Sequence, residues 1–136
     1  MKKIVLIACS NKKFPSKSKA KNLYISPLFT LCLQYAQSLN SDKIYILSAK
    51  HGLVDSEQRL KPYNKTLNTM AAKQIKTWAG RVLNQLKKVS DPERDEYIFL
   101  AGNNYRRYLI PHLRKYKVPL KGLRIGEQLQ YLKNQT

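Results

Sequence analysis

A chain of 136 residues, 43% hydrophobic and 25% charged, is long enough for one buried core but not two, and its balance excludes wholesale disorder. Its 26 Lys and Arg against 8 Asp and Glu give a formal net charge of +18, which points to a polyanionic partner, nucleic acid before membrane. No stretch is long and apolar enough to span a bilayer, and two cysteines make no disulfide framework, so a cytoplasmic protein with buried, reduced thiols at Cys9 and Cys32 is expected.

The opening MKKIVLIACS superficially resembles a signal peptide, but its apolar run, Ile4–Ala8, is too short for that role. The same run is rich in β-branched residues and predicts a strand covered on both faces, as in a parallel sheet. It ends in Cys9-Ser10-Asn11-Lys12-Lys13, small and polar residues at the strand end where open α/β sheets bind ligands. No carboxylate precedes Asp42, and Lys12–Lys21 reads as a mobile loop, either phosphate-facing or simply solvated.

Ser26-Pro27 supplies a helix N-cap and a first-turn proline. Leu28, Leu31, Cys32, Tyr35 and Leu39 then recur at helical spacing until Asn40-Ser41-Asp42 ends the element. Ile44–Leu47 predicts a second strand, joined to the first by this helix in a βαβ unit. It stops at Ser48-Ala49-Lys50-His51-Gly52, and residues 52–68 read as a long loop anchored by Leu53, Val54, Leu60, Tyr63 and Leu67.

A helix from near Asn68-Thr69 buries Ile75, Trp78, Ala79, Val82 and Leu86, leaving Lys73, Lys76, Arg81 and Lys87 on a basic outer face. The linker Ser90–Glu96 holds four of the eight acids. Tyr97–Ala101 predicts a third strand, broken at Gly102-Asn103-Asn104. The helix expected after it turns Tyr105, Tyr108, Leu109, His112, Leu113 and Tyr116 inward. Gly122 and Gly126 frame a turn into a last helix, with Glu127 as its first-turn cap. The sum is one α/β domain over residues 1–136, a three-layer sandwich with a short, mostly parallel sheet of about four strands flanked by helices.

In such a sheet the ends Cys9–Lys12, Ser48–Gly52 and Gly102–Arg106 converge on one edge and describe a pocket. Ser10, Asn11 and Asn103 are the candidates to hold a base or phosphate, with Ser48 beside them, and Lys12, Lys50 and Arg106 to neutralise a backbone. His51 is the acid/base candidate, because its ordinary pKa lies near neutrality. Asp55, four residues on, is placed to orient it or to activate water. Each has a structural alternative: a histidine bonding the following loop, and a turn-capping aspartate. Tyr24, Tyr63 and Tyr105 either stack a base or pack the core.

Cys9, Cys32, His51 and His112 lack metal-ligand spacing, so no metal is expected. Neither GxxxxGK[ST] nor GxGxxG occurs, so no nucleotide cofactor is expected, and no GxSxG surrounds Ser10 or Ser48.

The segments ACSNKK, ILSAKHGLVDSEQRLKPYNKTL, LAGNNYRRYL and PLKGLRIGEQLQYLK resemble an uncharacterised bacterial and phage family, a domain of unknown function, nearly end to end. More distantly, ACS..K and SAKHG are similar to the lyase-type domain of archaeosine synthases, which act on a deazaguanine base in RNA. The organisation as a whole is similar to uracil-DNA-glycosylase-like domains. The chain lacks the fuller Ser/His signature of the first and the water-activating Asp motif and His-Pro-Ser loop of the second, so neither mechanism carries over.

The expectation is a nucleic-acid-associated enzyme acting on a nucleobase or nucleotide by N-glycosidic or base-modifying chemistry, with His51 and Asp55 as catalytic groups. The rivals are a non-catalytic DNA- or RNA-binding protein, such as a phage accessory factor, and a small-molecule nucleotide enzyme whose lysines are compositional.

Overall fold

The computed structural model describes residues 1–135. The chain runs β1 (Lys3–Ala8), β2 (Ser18–Lys19), α1 (Ala20–Leu23), α2 (Pro27–Ser38), β3 (Lys43–Ser48), β4 (Gly52–Asp55) and β5 (Arg59–Leu60). After a single 3-10 turn (Leu67–Thr69) come α3 (Ala72–Val89), β6 (Glu96–Leu100), α4 (Asn103–Arg106), another 3-10 turn (Ile110–His112), β7 (Lys115–Lys117) and α5 (Ile125–Gln135).

Five strands form one sheet in the order β4-β3-β1-β6-β7. β3, β1, β6 and β7 are parallel, and β4 turns back antiparallel on β3. The apolar β1 run is central because both its faces are covered, as expected of a parallel-sheet strand. Ile4 and Leu6 enter a core with Trp78, Val82 and Leu86 of α3, and Val5 and Ile7 enter a second core with Phe29, Cys32 and Ala36 of α2. The three-layer α/β sandwich of the sequence reading is therefore present.

Ser26 caps α2 as expected, its Oγ accepting from the Phe29 N–H at 3.2 Å with Pro27 in the first turn. α2 is apolar over much of its surface because it packs against α5 as well as against the sheet; Tyr35 meets Tyr131 edge-on at 6.2 Å. Glu127 does cap its helix, accepting from the Arg124 N–H at 3.0 Å. In α3 the expected stripe is buried and Lys73, Lys76, Arg81 and Lys87 are exposed.

Four expectations are corrected. Residues 52–68 are not loop throughout: β4 and β5 lie within them, and Leu53 and Val54 sit on opposite faces of an antiparallel edge strand. Lys12–Lys21 is not an unstructured loop, since β2 pairs with β5 and α1 buries Ala20 and Leu23. The segment after Gly102 is not one helix. Pro111 has no N–H to donate and its ring clashes with the preceding turn, so α4 ends at Arg106 and the chain goes on as a 3-10 turn and a strand. His112 and Tyr116 are consequently exposed rather than packed in the core.

Candidate functional site

The register Ile7↔Ile46 and Ile7↔Leu100 sets the carboxyl ends of β3, β1 and β6 side by side at one edge. Beyond β1 the chain leads to α2 on one face, and beyond β6 it enters α4 on the other. Chains that diverge to opposite faces leave a crevice between their strands. A cavity of about 300 Å³ lies there, with Cys9, Ser10, Ser26, Gly102, Arg106 and Gln128 along its polar side and Phe29, Leu120 and Ile125 among its apolar walls. Arg106 is tethered across the β6 end, Nη1 donating to the Ala101 carbonyl at 2.7 Å, which directs the guanidinium into this space.

A strand away, β3 and β4 join in a tight hairpin whose first and last paired residues are Ser48 and Gly52. One face of α3 holds it. Trp78 Nε1 donates to the Ser48 carbonyl at 2.8 Å, Arg81 Nη2 to the Lys50 carbonyl at 2.8 Å, and Gln85 accepts from the Leu53 N–H at 2.8 Å. Gly52 is required at its place: its φ is +75°, and a Cβ there would come within 2.3 Å of Gln85 Oε1.

Behind the hairpin runs a chain of hydroxyls. The wholly buried Ser48 Oγ accepts from the His51 N–H at 3.0 Å and lies 2.7 Å from the Tyr63 hydroxyl, which lies 2.6 Å from that of Tyr24. Lys13 reaches over this group, its Nζ 4.4 Å from the Tyr63 ring centre and donating to the Ser10 carbonyl at 2.8 Å. Burial lowers the Lys13 pKa, while the neighbouring Cys9 works against that shift. Burial is also the main cause that drives the phenols of Tyr24, Tyr63 and Tyr105 upward, Tyr24 to about 12. Cys9 thus links the cavity to this polar group; its sulfur lies 3.5 Å from the Tyr105 hydroxyl.

The sequence-derived candidates are not all brought together. Ser10 and Arg106 line the cavity. Asn11 and Lys12 are exposed just past Ser10, and Lys50 is exposed at the hairpin tip. Asn103 opens α4 beside Arg106, on the side facing Lys117 and Lys121. Tyr105 is buried against Trp78 at 5.7 Å and hydrogen-bonded to the Leu67 N–H, so its ring packs the core and presents no open stacking face.

His51 stands edge-on to Tyr63 at 5.4 Å. Burial first, then the charges of Lys50 and Arg81, lower its pKa, which leaves a neutral imidazole at pH 7. Asp55 does not meet it. The antiparallel register sets Asp55 opposite Tyr45, at the far end of β4 from the hairpin, where it pairs with Lys43 and accepts from the Glu57 N–H. The sequence reading missed Lys13, Ser26 and Gln128. Lys13 had one legible sign, its place four residues after Cys9 at a strand end; Gln128 had none, because α5 meets the cavity only through tertiary packing.

A model of a family of unknown function, DUF6884, matches residues 4–134. The chain belongs to that family. No curated protein and no solved structure matches this DUF6884 chain. Among its described residues no helix is long and apolar enough to cross a membrane, and no three His, Cys, Asp or Glu group as metal ligands.

Proposed function

We propose that the chain is a nucleic-acid-associated enzyme of the cytoplasm that takes a nucleobase or nucleotide into the β1/β6 cavity for N-glycosidic or base-modifying chemistry. The observation that carries this reading is the cavity's place and make-up. It opens where an open α/β sheet binds ligands, its volume of about 300 Å³ suits one base with its sugar, and apolar walls face a polar rim. Phe29 and Ile125 would cover the base, Ser10 and Gln128 would fix its edge, and Arg106 would take a phosphate. The net charge of +18 supplies attraction for the polymer that presents the base. Cys9 lines the cavity and Lys13 reaches its rim through the Ser10 carbonyl, so these two would bond to the bound group or exchange a proton with it; His51 acts from the neighbouring strand end without Asp55. The similarity of ACS..K and SAKHG to a base-acting lyase-type domain agrees with this use of the edge.

A second reading, a non-catalytic DNA- or RNA-binding protein such as a phage accessory factor, is favoured by one observation: among the described residues no carboxylate lines the cavity. Turnover separates the two. Single-stranded, duplex and modified-base oligonucleotides are incubated with the wild type and with Arg106→Ala, and base release is followed by chromatography while mononucleotide binding is measured by calorimetry. The enzyme reading expects release that Arg106→Ala removes. Binding without release on any substrate leaves the binder, and no mononucleotide binding at all sinks the cavity's assignment.

A further inference from the structure

A groove of about 420 Å³ runs along the N-terminal half of α3, outside the cavity described above. Lys65, from the loop before α3, and Lys73 and Arg81 of α3 line it with positive charge. Met70 and an edge of Trp78 make the floor, together with Ala49 from the end of β3. All three cations are exposed, and none takes part in an ion pair among the described residues. No acid is close in sequence either, because residues 58–90 carry eight Lys and Arg and no Asp or Glu. Unpaired cations held on two elements around an apolar floor repel one another, and an anion laid between them relieves that cost.

We infer that this groove binds the backbone of a single-stranded polynucleotide. Phosphates lie against Lys65, Lys73 and Arg81, and a base rests on the soft thioether of Met70. A base can rest on Met70 only when it is unpaired, which favours a single strand over a duplex. Arg81 is already oriented by its bond to the Lys50 carbonyl and Trp78 by its bond to the Ser48 carbonyl, so little side-chain order is lost on binding. Ala49 follows the last residue of β3, so the groove begins at the same sheet edge as the cavity, one strand from β1, although α3 covers the opposite face of the sheet from the α2 side that walls the cavity. A strand held in the groove reaches the cavity by crossing the strand ends at that edge. The inference shares the nucleic-acid part of the proposed function and does not require the cavity to be catalytic.

The test measures fluorescence anisotropy of labelled oligothymidylate and oligouridylate over a salt series. The wild type is compared with Lys65→Glu/Lys73→Glu and with Lys87→Glu/Lys88→Glu. The second pair changes net charge equally but begins about 21 Å further along the same helix. The groove pair is expected to lose affinity about tenfold or more, with the slope of log affinity against log salt flattened by about 1.4, at ~0.7 for each lost single-strand phosphate contact. The distal pair is expected to keep the wild-type slope. Equal losses in both pairs, an unchanged slope in the groove pair, or preference for duplex would overturn the inference, as would wild type that binds neither strand. Mononucleotide binding measured in parallel on the groove pair keeps the two proposals apart, since the cavity reading expects it to be unchanged.

Discussion

Ser48 Oγ stands 2.7 Å from the Tyr63 hydroxyl and takes the His51 N–H as well, so one buried serine ties the end of β3 to the hairpin tip and to the loop that follows β5. Replacing it by alanine takes the acceptor from a partly buried N–H and leaves the partly buried Tyr63 hydroxyl with Tyr24 alone. Ser48→Ala is expected to lower stability by about 1–3 kcal/mol. Urea unfolding checks this; a loss below about half a kcal/mol would mean that water replaces the serine and that the hydroxyl chain does not fix the hairpin.

The same phenols carry a pH signature. In the unfolded chain a tyrosine loses its proton near pH 10.0, whereas burial keeps Tyr24 protonated up to about 12. Between those values the folded state binds more protons than the unfolded one, so stability is fully present below pH 10 and falls as pH rises toward 12. Tyr63 and Tyr105 are displaced in the same direction. Ultraviolet titration is expected to show part of the nine tyrosines ionising normally and the rest only with cooperative unfolding. One smooth transition for all nine would refute the buried network.

Two glycines should respond with opposite signs. Gly52→Ala meets both a left-handed backbone and Gln85, and is expected to cost about 1–3 kcal/mol. Gly80 lies on the exposed side of α3, with nothing within 4 Å of an added Cβ, and Gly80→Ala is expected to stabilise by about 0.5–1 kcal/mol. Thermal and urea midpoints measured together decide the pair. A neutral Gly52→Ala would mean that the hairpin relaxes freely away from α3.

The two thiols line the same cavity but differ in access. Cys32 is buried, and burial pushes its pKa up to about 12, which suppresses the reactive thiolate; Cys9 is half-buried. Iodoacetamide followed by mass spectrometry is expected to modify Cys9 in the native protein and Cys32 only after denaturation. A mononucleotide seated in the cavity is expected to slow the Cys9 reaction. Modification of both at equal rates would show that the cavity opens more widely than its walls indicate.

Much of the architecture was legible because it rests on local pattern. The β-branched run at Ile4–Ala8, the Ser26-Pro27 start and the Ile75–Leu86 stripe each fix an element without help from distant residues. Where the pattern failed, a single residue or a remote partner decided. Pro111 splits what periodicity alone reads as one helix. β4 and β5 are too short to show a period and exist because β3 and β2 offer them hydrogen-bonding partners. The strand ends were readable as small, polar breaks after apolar runs, but their grouping was not. Spacing in sequence placed Asp55 within reach of His51; the antiparallel register carries it to the other end of the strand, beside Lys43.

The central position of β1 has a kinetic consequence. Lys3–Ala8 is synthesised before the other strands of its sheet, yet its register with Glu96–Leu100 closes only once those later residues exist. Contacts so far apart in sequence slow folding, and until they form one edge of the most apolar strand stays unpaired. The β1–α2–β3 unit is the natural early nucleus, with β6, β7 and α5 joining late. Pulsed hydrogen exchange should then protect the Ile46 amide before that of Phe99; simultaneous protection would mean that the sheet assembles in one step. A nascent chain stopped before Glu96 would present an open edge to its neighbours, which makes the last third of the sequence the guard against aggregation of the first.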